Sequence, residues 1–279
     1  MTLACALIAG ACTTDGTRPG STDAPDGTGG PGPAVDLTRG EPLEAGAEGT
    51  FSIVMSGDSV MNGLYPAVEA ALERSEPFGV EVDWLLTAGI ADAPEAQLLW
   101  RNTIAERDPD VSIFLMGWWE NIRLRGGNLS ISTQDEDWPQ LYLDQVAIPW
   151  RELVTSGGGD LIWMTMPPVV APERNPELEE FNAAWRPIAD QGSTVVFETA
   201  PGLTNDTGRY LEQSLVDGEL LQIRNPDGLH MCQDGAIALA EELLGLLRER
   251  YGLIAVPGWQ TGEWQSHSAY PPDECNPES

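Results

Sequence analysis

From residue 50 onward, short runs rich in β-branched and aromatic residues alternate with longer helix-like stretches, the pattern of a mainly parallel sheet covered by helices on both faces. Strands are expected at Phe51 to Met55, Val80 to Leu86, Val111 to Met116, Leu161 to Met166 and Thr194 to Phe197. Between them lie expected helices at Gly63 to Arg74, Pro94 to Glu106, Trp138 to Thr155 and Pro176 to Asp190, and a last one runs from Gly235 to Tyr251. Five strands and five helices in this order make a three-layer α/β/α sandwich around a mainly parallel five-stranded sheet. In open sheets of this kind ligands sit outside the carboxyl ends of the strands, so the residues just after each strand are where function is read.

The 279 residues accommodate one such domain with tails at both ends. Leu3 to Ala11 is an apolar, small-residue run ending at Cys12, too short to cross a bilayer as a helix. Ala9, Gly10 and Ala11 before Cys12 resemble a lipoprotein cleavage box, which implies lipidation of Cys12 and a membrane contact made only through that anchor; an ordinary secretory signal is the alternative. Residues 13–49 are Gly, Pro, Thr, Asp and Ser with almost no large apolar side chain, a composition that cannot offset chain entropy by burial and reads as a flexible tether. The domain is expected over residues 50–252, followed by a polar tail over 253–279.

Charge narrows the partners. A net charge of -30 repels phosphate backbones, so nucleic acid is not an expected partner. All 14 basic residues are arginines, and the absence of lysine excludes Schiff-base chemistry and the phosphate-loop lysine. No His or Cys cluster has metal-ligand spacing, and neither a metal nor another cofactor is expected.

Directly after the first strand stands Ser56-Gly57-Asp58-Ser59-Val60, leading through Met61-Asn62-Gly63 into a helix. A serine at such a strand-to-helix turn is placed at the open sheet edge, near helix N–H groups able to meet the charge of an acyl-transfer intermediate. A plain helix-capping turn uses the same residue types. The hydroxyl needs a base to become a nucleophile, and the chain has two histidines. His267 lies in the polar tail and reads as a surface residue. His230 ends Asn225-Pro226-Asp227-Gly228-Leu229-His230, before the C-terminal helix, where Asp227 is positioned to fix the imidazole tautomer.

Gly57-Asp58-Ser59 near the start of the domain and Asp227-Gly228-Leu229-His230 near its end resemble the first and last blocks of the SGNH (GDSL-like) hydrolases, over roughly residues 50 to 252. The resemblance implies a flavodoxin-like fold, an esterase activity and a catalytic set of Ser59, His230 and Asp227. It also implies an oxyanion hole built from the backbone of Ser59 and of Gly89, the glycine of Thr87-Ala88-Gly89-Ile90 after the second strand. The third block departs from the family's Gly-x-Asn-Asp, because the chain reads Gly117-Trp118-Trp119-Glu120-Asn121 with Trp119 in the asparagine place. Either Asn121 supplies the missing donor, or the hole keeps two backbone donors, a loss worth about 3 to 4 kcal/mol of transition-state stabilisation. Trp-Glu replacements of this kind resemble those in SGNH domains attached to membrane acyltransferases of cell-envelope sugars, which implies a carbohydrate O-acyl ester as substrate. Trp118 and Trp119 are then either a platform for a sugar ring or loop packing, and Asp58 and Glu120 are further candidates for substrate contact.

Cys5 and Cys12 belong to the leader, leaving Cys232 and Cys275 as an even pair in an exported chain. A bridge between them closes a loop of 43 residues and is worth up to about 4 kcal/mol in the chain-entropy account. Three functions remain open at this level: hydrolysis of an acylated carbohydrate or other small ester, acyl transfer to a second sugar hydroxyl, and a surface carbohydrate-binding module without turnover.

Overall fold

The computed structural model describes residues 49–73, 75, 79–126, 129–189, 191–216 and 219–275. The expected leader with Cys5 and Cys12, and all but Gly49 of the expected tether, lie outside the described residues, as do Arg74 and Asp190 at the ends of two expected helices. Five parallel strands, β1 (Thr50–Gly57), β2 (Gly79–Leu86), β3 (Val111–Leu115), β4 (Asp160–Met164) and β5 (Thr194–Phe197), form one sheet in the order β2-β1-β3-β4-β5. The first strand to form in sequence is therefore internal, and the chain reverses its winding direction between β2 and β3, on either side of β1. A crevice at the carboxyl ends follows from that switch.

The strands are buried on both faces, as a parallel sheet between helical layers must be. Ile53, Met55, Ile113, Leu115, Ile162 and Met164 point to one side. There they meet α2 (Tyr65–Leu72) and the long α9 (Gln233–Tyr251), while the short α1 (Ser59–Asn62) caps the layer. Val54, Phe114, Leu161 and Trp163 alternate to the other side. That face packs on α3 (Pro94–Arg107), α6 (Ile148–Val154) and α7 (Asn175–Trp185), with Trp163 stacked between Phe114 and Trp185. Gly57 allows the approach of β1 to β3: a Cβ there would stand 2.0 Å from the Leu115 carbonyl oxygen.

All five expected strands are present within two residues of their expected ends. The expected helix from Trp138 to Thr155 is instead α5 (Trp138–Tyr142), a π-helical turn at Leu143–Ala147 and α6. Pro149 has no N–H and its ring crowds the preceding turn, and the chain answers by widening to an i to i−5 bond from Ile148 N–H to the Leu143 carbonyl. Helix α4 (Trp118–Arg125), the short α8 (Ala200–Leu203) and an antiparallel hairpin of β6 (Gln213–Val216) and β7 (Glu219–Gln222) are additions to the expected set. The tail after α9 carries a 3-10 turn at Glu263–Ser266 and α10 (Pro272–Cys275). No described helix is long and apolar enough to cross a membrane.

Candidate active site

The turn after β1 is set by Asp58. Its backbone is extended, and its carboxylate accepts from the Val60 N–H at 3.0 Å, which stops the strand and starts α1 with Ser59 as its first residue. The other carboxylate oxygen lies 3.5 Å from the Gly117 N–H, and the carboxylate also accepts from the Trp119 backbone at the start of α4. Burial pushes the Asp58 carboxyl above its ordinary value, with the three N–H groups pulling against that shift. Asp58, a candidate for substrate contact in the sequence, therefore joins the first and third blocks from inside. Ser59, next in sequence, is exposed.

The partner loop arrives 171 residues later. His230 Nε2 lies 2.7 Å from Ser59 Oγ, and His230 Nδ1 lies 2.5 Å from Asp227 Oδ2. The loop is wound around the same carboxylate: Asp227 Oδ1 accepts from the Leu229 and His230 N–H groups at 2.8 and 3.0 Å, while Asn225 N–H donates to the His230 carbonyl at 2.9 Å. Gly228 makes the turn possible with φ 75°, and a Cβ on it would stand 2.0 Å from Val170 Cγ1. Burial alone would raise the Asp227 carboxyl, but the imidazole and the two N–H donors outweigh it and hold the group below its ordinary value. With an ionised carboxylate facing Nδ1, that nitrogen carries the proton and Nε2 is left to accept from the Ser59 hydroxyl. His267 stands apart from this arrangement, its ring nitrogen accepting from Ala269 N–H in the tail.

The second block lies against the first through Ser56, whose Oγ sits 2.9 Å from the Leu85 carbonyl and 2.8 Å from Thr87 Oγ1. Gly89 follows in that loop, where a Cβ would stand 2.5 Å from Glu120 Oε2 and 2.4 Å from an Arg123 nitrogen. Among the described residues, neither the Ser59 N–H nor the Gly89 N–H donates to another group. Glu120 is fully buried and organises the loop: it accepts from the Ala91 N–H at 2.8 Å, the Ile90 N–H at 3.2 Å and the Tyr142 hydroxyl at 3.0 Å, with Arg123 at 3.4 Å. Burial pushes its carboxyl up against the pull of those donors. Glu120, a candidate for substrate contact in the sequence, thus braces the second-block loop from inside. Asn121, expected in an oxyanion hole, is buried, and its amide donates to the Glu177 carbonyl at 3.4 Å.

The tryptophan pair divides. Trp118 packs half-buried against the core with the Arg174 guanidinium 6.0 Å from its ring centre. Trp119 is 48% exposed and borders an open groove of about 460 Å³ with Leu86, Gly89, Asp92, Leu99 and Arg123. Sequence reading also passed over Arg224, which lies fully buried under the histidine loop. Its Nη2 donates to the Leu229 carbonyl at 2.8 Å, its guanidinium stands 5.2 Å from the Tyr210 ring centre, and burial pushes it down to about 10. Its position directly before Asn225-Pro226-Asp227 was the available signal. Cys232 and Cys275 form the expected disulfide.

A parallel five-stranded sheet in this order, with a serine, an imidazole and a carboxylate in line at its carboxyl edge, defines a class of three-layer α/β fold with a serine–histidine–aspartate site. Within that class, the chain belongs to a family described as a protein of unknown function, DUF459, whose pattern matches residues 52–245. Comparison with the curated proteins finds no match. Among solved structures, the chain is similar to a catalytic mutant of an acetylxylan esterase from Geobacillus stearothermophilus, at 18% identity and TM-score 0.48, over 72% of this chain and 94% of that one. It is also similar to a family 3 carbohydrate esterase from Clostridium thermocellum, at 16% identity and TM-score 0.47, over 72% and 98% of the two chains. A carbohydrate esterase of family 3 from Talaromyces cellulolyticus matches at 14% identity and TM-score 0.41, over 71% and 99%.

Proposed function

We propose that this chain is an exported serine esterase that hydrolyses O-acyl, chiefly O-acetyl, esters on cell-envelope or extracellular carbohydrate. The observation that carries the reading is the continuous contact from Ser59 Oγ through both His230 nitrogens to Asp227. Ser59 Oγ attacks the ester carbonyl while its proton passes to His230 Nε2, and the imidazolium that forms is stabilised by the ionised Asp227. The carbonyl oxygen takes up the charge beside the undonated N–H groups of Ser59 and Gly89. Collapse of the intermediate breaks the bond to the alcohol oxygen, which takes the proton from Nε2. Water then attacks the acyl-serine, again giving its proton to Nε2; collapse breaks the acyl bond to Ser59 Oγ, which takes that proton back, and the free carboxylic acid leaves and ionises in solvent.

The exposure of Ser59 favours water over a sugar hydroxyl as acceptor, since acyl transfer requires a site that keeps bulk water out. The exposed ring of Trp119 beside the Gly89 loop supports a carbohydrate alcohol, because a sugar face stacks on such a surface. Export and anchoring through Cys12 rest on the leader sequence.

The test is a panel of acetylated oligosaccharides and aryl esters of increasing acyl length, assayed with the whole chain. The reading expects acetate release from the glycans and falling kcat/KM as the acyl chain lengthens. Preference for long-chain aryl esters with no glycan deacetylation would overturn the substrate class, and acetyl groups appearing on added sugar instead of as free acetate would favour transfer.

A further inference from the structure

The tail beyond the matched residues 52–245 reaches both halves of the site. Tyr270 is buried, and its hydroxyl donates to the Gly63 carbonyl at 2.7 Å, 207 positions away in sequence. Gly63 is the residue that closes α1, the four-residue helix that begins with Ser59. Five residues after Tyr270, Cys275 is bonded to Cys232, two residues past His230 and immediately before α9. The stretch between is tight: Cys275 N–H donates to the Pro271 carbonyl at 3.0 Å. Behind it, the Trp264 ring packs edge-on against Tyr270 at 5.8 Å, and Gln233 of α9 donates to the Gln265 carbonyl at 3.1 Å.

This matters because neither half of the site is held strongly by its own secondary structure. A single helical turn has no cooperative reserve, so α1 takes its position from what its ends touch. The histidine sits in a loop and its ring is 30% exposed. A contact of 2.7 Å between Ser59 and His230 therefore depends on how two separate segments are tied to a third body.

We propose that Tyr270 to Cys275 is a positioning strap, with Tyr270 and Cys275 acting as positioning residues that hold the nucleophile's helix and the base's loop in register. The proposal rests on the esterase reading for its kinetic consequence, but its geometric content stands independently. A displacement of about 1 Å between reacting groups can cost about a hundredfold in rate, so losing one end of the strap is expected to lower kcat without weakening substrate binding.

The experiment compares whole-chain Tyr270→Phe and Cys275→Ser with wild type, each in a His267→Ala background so that His230 supplies the sole histidine signal. Three readings are taken at a temperature well below every melting midpoint: kcat, KM and the nitrogen-edited NMR resonances of the His230 ring. The strap predicts that each variant loses about tenfold or more in kcat with KM within twofold, and that the ring resonances shift. Tyr270→Phe keeps the ring and its packing, so it remains informative if Cys275→Ser fails to fold. A Tyr270→Phe variant with a lowered melting midpoint but unchanged kcat and unchanged resonances would reduce the tail to a stabilising element and overturn the proposal. If wild type proves inactive on every ester, the esterase reading fails. The strap is then decided by the resonances alone, shifted in its favour or unshifted against it.

Discussion

Asp227 and Glu120 are both carboxylates within one site, and they are built in opposite ways. Asp227 is 43% exposed, faces an imidazole, and sits below its ordinary pKa because the ring and two N–H groups favour the anion. Glu120 is fully buried, faces backbone N–H groups, a phenol and an arginine, and sits above its ordinary pKa because burial outweighs all of them. Asp58 shares the second pattern. An exposed carboxylate aimed at one imidazole is arranged for the proposed proton relay, whereas a buried carboxyl serving several donors fixes the shape of two loops. The third block of this chain thus carries a tryptophan, Trp119, in the asparagine place and beside it a carboxylate, Glu120, turned inward.

Removing the imidazole should produce the largest effect. His230→Ala is expected to lower ester hydrolysis at least a hundredfold, the usual worth of a positioned base, while the melting midpoint stays close to that of wild type because the ring is partly exposed. Rates on p-nitrophenyl acetate together with a thermal melt would separate the two quantities, and equal turnover in the variant would remove His230 from the mechanism.

Glu120→Ala should do the reverse and act first on stability. It strands the Ile90 and Ala91 N–H groups, the Tyr142 hydroxyl and Arg123 without their acceptor, a defect worth about 3 to 5 kcal/mol, or roughly 10 °C in a domain of this size. Calorimetry of the variant checks this, and a midpoint within a degree or two of wild type would contradict the structural role.

The contrast also has a pH signature. Burial raises the Glu120 carboxyl in the folded chain above 4.5, so the folded state holds that proton more tightly than the unfolded one. Its contribution to stability therefore falls as pH rises from the unfolded value through the folded one. Asp227 has the opposite sign: its contribution is present above 3.8, is lost as pH falls through the lower folded value, and is small because the group is exposed. Melting midpoints followed from pH 4 upward should show a fall in wild type that is shallower in Glu120→Gln, where Asp58 and the other carboxyls raised by burial still contribute, and that Asp227→Asn keeps. The smallest effect is expected from Asn121→Ala. With its amide on the Glu177 carbonyl, its loss should change turnover less than about threefold, and a drop near a hundredfold would restore Asn121 to the oxyanion hole.

The sheet was legible because its strands announce themselves by composition and by the turn residues that close them. Ser59, Asp227 and His230 were legible because a chain with two histidines leaves little choice of base. The inward orientation of Glu120 and Asp58 was not legible. A carboxylate near a nucleophile has the same sequence appearance whether it faces solvent or backbone donors, and only burial distinguishes them. Arg224 and Tyr270 were passed over for a related reason: each acts on a carbonyl distant in sequence or hidden beneath a loop, and no local pattern encodes such a partner. The split of the Trp138 to Thr155 helix turns on Pro149, whose missing N–H was visible in the sequence although the form of the adjustment was not.

The central claim is that the Ser59 hydroxyl is activated by His230. Its most direct test is covalent labelling of the whole folded chain with a fluorophosphonate, read by intact mass and peptide mapping. The account predicts one adduct on Ser59, absent in Ser59→Ala and strongly slowed in His230→Ala. A folded wild-type chain that takes up no label, or a Ser59→Ala variant that takes up as much, would contradict it.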